Sequence, residues 1–257
     1  VFEAVRRSGT VTTPVVYTGS IGMFSLSDAD PVTNRLAEDA VPHPGNHYGV
    51  YKLANEGTAQ VYWQDNGIAS VGLRPMTVYG AGRDQGMTSS PTVAIAAAVL
   101  GVPFRISFGG STLFQYAQDV AATLILASRS PADGAHVFNL GGSPVPITDW
   151  IEAIDAAVPG ARDLLTFEPA PLPFPPDIQH DRLARLGAVP VTPYADAIAA
   201  TAGIFRSLAD RRALVAGEQG IPDATAGASA TATPAPATAV PPTNASPVPP
   251  NPAASEP

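Results

Sequence analysis

Cysteine is absent from the 257 residues, so disulfides, thiolate zinc sites, iron–sulfur clusters and cysteine nucleophiles are all excluded. The four histidines, His43, His47, His136 and His180, are too scattered to make up a metal site in the absence of cysteine. Positive charge is scarce: 14 Lys plus Arg stand against 22 Asp plus Glu, a net charge of -8, and no basic stripe is present. A nucleic-acid backbone rewards clustered cations, so nucleic acid is not an expected partner. No apolar run reaches the roughly 18 residues that span a bilayer. The opening VFEAVRRSG also lacks the charged, apolar, small-residue order of a signal peptide. The expectation is a soluble, cytoplasmic chain with no membrane partner. Lysine is nearly absent as well: Lys52 is the only one, and the other 13 basic residues are arginine.

Enough remains to fold. Hydrophobic residues make up 45%, a sufficient core for one large domain or two smaller ones. Residues 217–257 differ, with ten prolines, no aromatic and no basic residue. They have too little to bury, and the expectation is a domain at 1–216 followed by a disordered Pro/Ala/Thr-rich tail at 217–257. Asn244, Ala245 and Ser246 form a glycosylation sequon, a three-residue match of the kind chance supplies often.

Ahead of the tail, strand-like and helix-like segments alternate. A helical stretch at 1–7 precedes the β-favouring Val15, Val16 and Tyr17, which end at Thr18, Gly19 and Ser20. Residues 48–65 carry Tyr51, Leu53, Ala54, Ala59, Val61 and Tyr62 at helical spacing, closed by Asn66 and Gly67. A buried strand is predicted at 68–73, a helix at 91–100, a strand at 104–108 and a strand at 137–140. Further helices are predicted at 119–128, capped by Asp119, and at 148–158, capped by Thr148. A last helix opens at Thr192 and Pro193 and runs to about Leu214. Trp63 and Trp150 lie on helical apolar faces and read as core. Strands separated by helices predict an α/β fold with parallel pairing. Such sheets bind ligands at the carboxyl ends of their strands, here just after Tyr17, Leu73, Phe108 and Leu140.

Tyr48 and Lys52 are four residues apart on a predicted helix, which puts their side chains on one face, one turn from each other. A phenol with a reference pKa of about 10 is a poor base at neutral pH, and an adjacent ammonium favours its ionised form. Lysine is also a compact donor able to reach a ribose hydroxyl. Ser20 ends the VVYTGS segment directly after a predicted strand, where a hydroxyl is placed to meet a ligand; taken singly it is a turn serine. GLRPMTVYG at 72–80 runs a strand into a Pro-containing loop at the same sheet edge. Glu56, four residues beyond Lys52, is placed to pair with it along the helix.

Ser20, the YGVYK of residues 48–52 followed by Glu56, and LRPMTVYG at 73–80 resemble, in order and spacing, the NAD-dependent epimerase/dehydratase family of extended short-chain dehydrogenases. FQYAQDVAATLILA at 114–127, VFNLGG at 137–142 and DIQHDRLARLGAVPVTPYADAIAAT at 177–201 continue the resemblance to about residue 214. It implies the C-terminal part of a Rossmann-like doubly wound parallel sheet plus a small substrate-binding lobe. It also implies NAD or NADP as cofactor, a sugar or nucleotide sugar as small-molecule substrate, and pairing into a homodimer. By the resemblance, Tyr48 is the general acid/base, Lys52 its electrostatic partner and ribose ligand, and Ser20 the hydroxyl that orients the substrate oxygen. Pro75, Thr77 and Val78 match the loop that passes the nicotinamide, mainly through backbone. Arg83, Gln85 and Arg105 are candidates for substrate contact, though surface arginines are usually only solvated.

One family feature is missing. Neither Gly19-Ser20-Ile21-Gly22 nor Gly80-Ala81-Gly82 forms the Gly-rich turn that seats a dinucleotide diphosphate on a helix N-terminus. The expectation is a chain without the family's first 100 or so residues, four strands included. Tyr51 stands where family members often have serine before the lysine. The rival expectation is a non-catalytic binding or scaffold protein that keeps the fold and uses the Pro-rich tail as its interaction segment.

Overall fold

The computed structural model describes residues 1–9, 13–142, 144–218 and 220–223. The tail from 224 onward and the Asn244 sequon lie outside the described residues. In chain order the elements are α1 (Phe2–Ser8), β1 (Val15–Thr18), β2 (Arg35–Leu36), α2 (His47–Asn66), β3 (Ser70–Arg74), β4 (Thr77–Tyr79), α3 (Ser90–Val99), β5 (Phe104–Ile106), β6 (Ser111–Tyr116), α4 (Ala117–Arg129), β7 (Ala135–Asn139), β8 (Pro144–Pro146), α5 (Ile147–Ala157), β9 (Leu165–Phe167), β10 (Asp177–Ile178) and α6 (Tyr194–Asp210).

One sheet is all-parallel, in the order β1-β3-β7, with Thr18 opposite Leu73 and Arg74 opposite Asn139. The middle strand, β3, is buried along its whole length, as a parallel strand covered on both faces must be. On one face α4 packs Val120, Leu124 and Ala127 against Val71, Leu73, Phe138 and Leu140. On the other, Tyr17 lays its ring over Gly72, where a β-carbon would come within 2.7 Å of the phenol, and Phe2 stacks on Tyr62 at 5.3 Å. Burial, then the Glu56 charge, pushes the Tyr17 phenol above its ordinary range, so it stays neutral.

The larger core gathers around α3, α5 and α6. Trp150 of α5 is fully buried, stacked on Phe114 at 3.8 Å and edge-on to Tyr79 at 4.7 Å. Helix α3 is buried over nearly its whole length, and Ala94, Ala96, Ala97 and Ala98 let α5 and α6 approach it closely. Strand β6 pairs parallel with β4 and antiparallel with β8, while β5 pairs with β9 and β2 with β10.

Several expectations need correction. Strand β5 belongs to a separate two-stranded sheet, so Phe108 does not sit at the carboxyl edge of the main one. Asp119 does not cap its own helix, which starts at Ala117; its carboxylate accepts from the backbone and hydroxyl of Thr192 at 2.7 and 2.9 Å, tethering the lead-in to α6. Thr148 is not a cap either, because α5 starts one residue earlier behind Pro146, and its hydroxyl donates to Asp149. At the start of the expected tail, Ile221 is buried in the larger core and Gly217 N donates to its carbonyl at 3.0 Å, so packed chain continues past 216.

Candidate active site

Strand β1 ends at Thr18, and the chain turns through Gly19 and Ser20 into a single 3-10 turn, Ile21–Met23. Ser20 is buried; its Oγ accepts from Gly22 N at 3.0 Å, which leaves the hydroxyl proton available to donate. Helix α2 begins against this turn. Asn46 caps it by accepting from Gly49 N at 2.8 Å, and a β-carbon on Gly49 would stand 2.8 Å from the Gly22 carbonyl oxygen and 2.9 Å from Pro44 Cβ. Only glycine permits so close an approach. The consequence is that the Tyr48 ring lies over Gly22: a methyl group there would touch Ser20 Oγ at 3.2 Å and Tyr48 Cε1 at 3.3 Å. Tyr48 is 55% exposed, and its hydroxyl makes no hydrogen bond among the described residues. One turn on, Lys52 Nζ donates to the Thr18 carbonyl at 2.8 Å and stands 5.5 Å from the Tyr48 ring centroid. Ser20, Tyr48 and Lys52 are therefore gathered at the carboxyl end of β1.

Glu56 does not pair with Lys52. Its carboxylate accepts from Arg74 Nε at 2.7 Å and Arg74 Nη2 at 2.6 Å, a two-pronged pair between α2 and the end of β3. Arg74 also reaches Asn139 Oδ1 at 3.4 Å, its guanidinium lies 5.1 Å from the Phe24 ring centroid, and Asn139 Nδ2 donates to the Gln179 carbonyl. Gly19 makes room for this pair, since a β-carbon there would lie 3.1 Å from Arg74 Cγ and 3.3 Å from Glu56 Oε1.

The other candidates are distributed differently. Pro75 is buried and its carbonyl accepts from Ile21 N, which ties the loop after β3 to the serine turn. The Thr77 hydroxyl is buried and bonded to that of Thr112 at 2.9 Å, and Val78 pairs with Gln115 in the sheet. Arg83 turns back onto its own loop, donating to the Gln85 carbonyl and the Thr88 hydroxyl. Arg105 forms an exposed ion pair with Glu168 at 2.9 Å. No described contact brings Arg83, Gln85 or Arg105 to the Tyr48 cluster. A pocket of about 420 Å³ lies between α4 and the 180–192 segment, and none of Ser20, Tyr48 or Lys52 lines it.

Two supports escaped the sequence. Gln115, buried in β6, accepts from Met76 N at 2.7 Å and donates to the Leu140 carbonyl at 2.9 Å, stapling the loop after β3 to the exit of β7. Asp28 and His43 join at 2.7 Å and hold the segment leading into α2. Neither pairing has a spacing that sequence reveals. Among the described residues no group of three or more His, Asp or Glu is arranged to hold a metal, and no helix is long and apolar enough to cross a membrane.

A model of the NAD dependent epimerase/dehydratase family matches residues 1–141. The chain belongs to that family. An uncharacterized protein of Sinorhizobium fredii is 31% identical over 130 residues, which are 50% of this chain and 30% of that one. The chain spans between 30% and 52% of the length of the curated relatives it matches. Among solved structures, the Thermus thermophilus UDP-glucose 4-epimerase in complex with NAD is 25% identical, with a TM-score of 0.65 over 80% of this chain and 67% of that one. MoeE5 in complex with UDP-glucose and NAD is 27% identical, with a TM-score of 0.64 over 80% and 69%. The fold of this epimerase/dehydratase family member is thus mixed α/β with parallel strands, like that of the sugar-nucleotide enzymes it resembles.

Proposed function

We propose that the chain supplies the acid/base half of an NAD(P)-dependent enzyme acting on a hydroxyl-bearing carbon of a sugar or nucleotide sugar, as an epimerase, dehydratase or dehydrogenase. The observation that carries this reading is the gathering of Ser20, Tyr48 and Lys52 at the end of β1. The nicotinamide end of the cofactor finds a fitting donor set: Lys52 spends one N–H on Thr18 and keeps the others for a ribose, beside an exposed phenol. For the diphosphate end, no Gly-rich turn of the required pattern occurs in the sequence. Bound beside these residues, NAD(P) would supply the hydride acceptor for the substrate carbon and, in an epimerase or dehydratase, the hydride for the later reduction. Tyr48 Oη takes the proton of the substrate hydroxyl as that carbon is oxidised and gives it back on reduction. The Lys52 ammonium stabilises the negative charge on Tyr48 while the proton is away. Ser20 donates to the substrate oxygen and so fixes its direction.

The test is detection of the product sugar by NMR, alongside nicotinamide absorbance for net oxidation, with NAD(P) and a panel of nucleotide sugars, for the full-length gene product. Tyr48→Phe is expected to lower turnover by about 10²- to 10⁴-fold, the usual worth of a general acid/base. An enzyme that keeps its rate with Tyr48→Phe contradicts the assignment, and a folded product inert with every substrate favours a scaffold.

A further inference from the structure

Lys52 and Glu56 stand one helical turn apart, and an unclaimed carboxylate at that spacing attracts the ammonium. Glu56 is claimed instead from β3, by the two-pronged bond from Arg74. Both side chains are only 10% exposed, so without Arg74 the carboxylate would lie buried with little water to satisfy it. The cation one turn away on its own helix is Lys52, whose present partner is a single backbone carbonyl, Thr18 O. Arg74 is itself well fixed, with Phe24 under its guanidinium and Asn139 at its third nitrogen. Gly19 leaves the space in which the pair forms.

We propose that Arg74 is a positioning residue: by holding Glu56 against β3 it keeps the Lys52 ammonium at the Thr18 carbonyl, beside the Tyr48 ring. Two interactions compete for one amine, and the strand cation decides between them. The inference takes its functional meaning from the reading of Tyr48 and Lys52 as an acid/base pair, but the position of the amine is measurable without turnover.

Because Lys52 is the only lysine, lysine labelled with ¹⁵N at Nζ gives one side-chain ammonium resonance in the intact chain. Arg74→Gln is expected to shift that resonance, as the amine leaves Thr18 for Glu56. The double variant Arg74→Gln, Glu56→Gln, which removes the competing carboxylate, is expected to return it to the wild-type position. An unmoved resonance in Arg74→Gln overturns the proposal. So does a shift that persists in the double variant, the result a merely structural role would give. Should Arg74→Gln fail to fold by circular dichroism, Arg74→Met, which keeps an apolar stem over Phe24, carries the same two expectations. A shift that reverts, found together with an active Tyr48→Phe enzyme, keeps the positioning and loses the acid/base reading. An unmoved resonance with an inactive Tyr48→Phe enzyme does the opposite.

Discussion

Two glycines in α2 have opposite meanings, and their surroundings decide which. A β-carbon on Gly49 would meet backbone and Pro44 at 2.8 to 3.1 Å, so α2 would have to lift off the serine turn. Gly49→Ala is therefore expected to destabilise the chain by about 1–3 kcal/mol, the usual cost of overpacking, and to move the Tyr48 ring away from Ser20. Gly57, mid-helix and exposed, meets nothing within 4 Å. There alanine lowers the helix's conformational cost, and Gly57→Ala is expected to gain about 1 kcal/mol. Thermal melts of the two variants read both signs, and a stabilised Gly49→Ala would contradict the close packing that seats Tyr48.

At the scale of elements, the segment between β1 and α2 has no long secondary structure and is held by Asp28. Burial pushes the Asp28 carboxyl up, but hydrogen bonds from Ser25 N and from the His43 ring and backbone outweigh it and hold it below the ordinary carboxylate value. A carboxyl lowered on folding stabilises above its unfolded pKa, and that stability is lost as pH falls through the folded value. Asp28→Asn is thus expected to melt lower than the parent at neutral pH, by about 1–2 kcal/mol. The gap between the two should close as the pH falls below the ordinary carboxylate range, where Asp28 is protonated in both states. A gap independent of pH would assign the effect to packing.

The same segment marks the limit of what sequence conveys. Helix α2 and strands β1 and β3 were legible because periodicity and apolar runs record which faces are buried, and the Tyr48–Lys52 relation because helix geometry fixes a four-residue spacing. Glu56 was misassigned since its partner, Arg74, arrives from a strand that only tertiary packing brings alongside. Strand β6 went unread because Thr112 and Gln115, polar yet buried, break its apolar pattern and find their partners in β4 and at the exit of β7. Arg83 and Arg105 show the converse: charge in a loop or on a short strand indicates a surface but does not name its partner.

For the whole molecule, the order β1-β3-β7 places β1 at an edge of the parallel sheet, with Tyr48 and Lys52 above its end. A dinucleotide held there would find in Lys52 a donor for its nicotinamide ribose. Dinucleotide affinity in such sheets comes largely from the diphosphate, seated on backbone N–H groups of a Gly-rich turn that opens a helix, and no turn of that pattern occurs in these 257 residues. One or two hydrogen bonds to a ribose contribute on the order of 1–3 kcal/mol and must offset the cofactor's lost freedom. Calorimetric titration of the 257-residue chain with NAD⁺ or NADH is therefore expected to show no saturable heat up to about millimolar cofactor. Micromolar binding would mean that these residues grip the diphosphate by some route other than a Gly-rich turn, and the division of labour proposed for Tyr48 and Lys52 would need redrawing around that site.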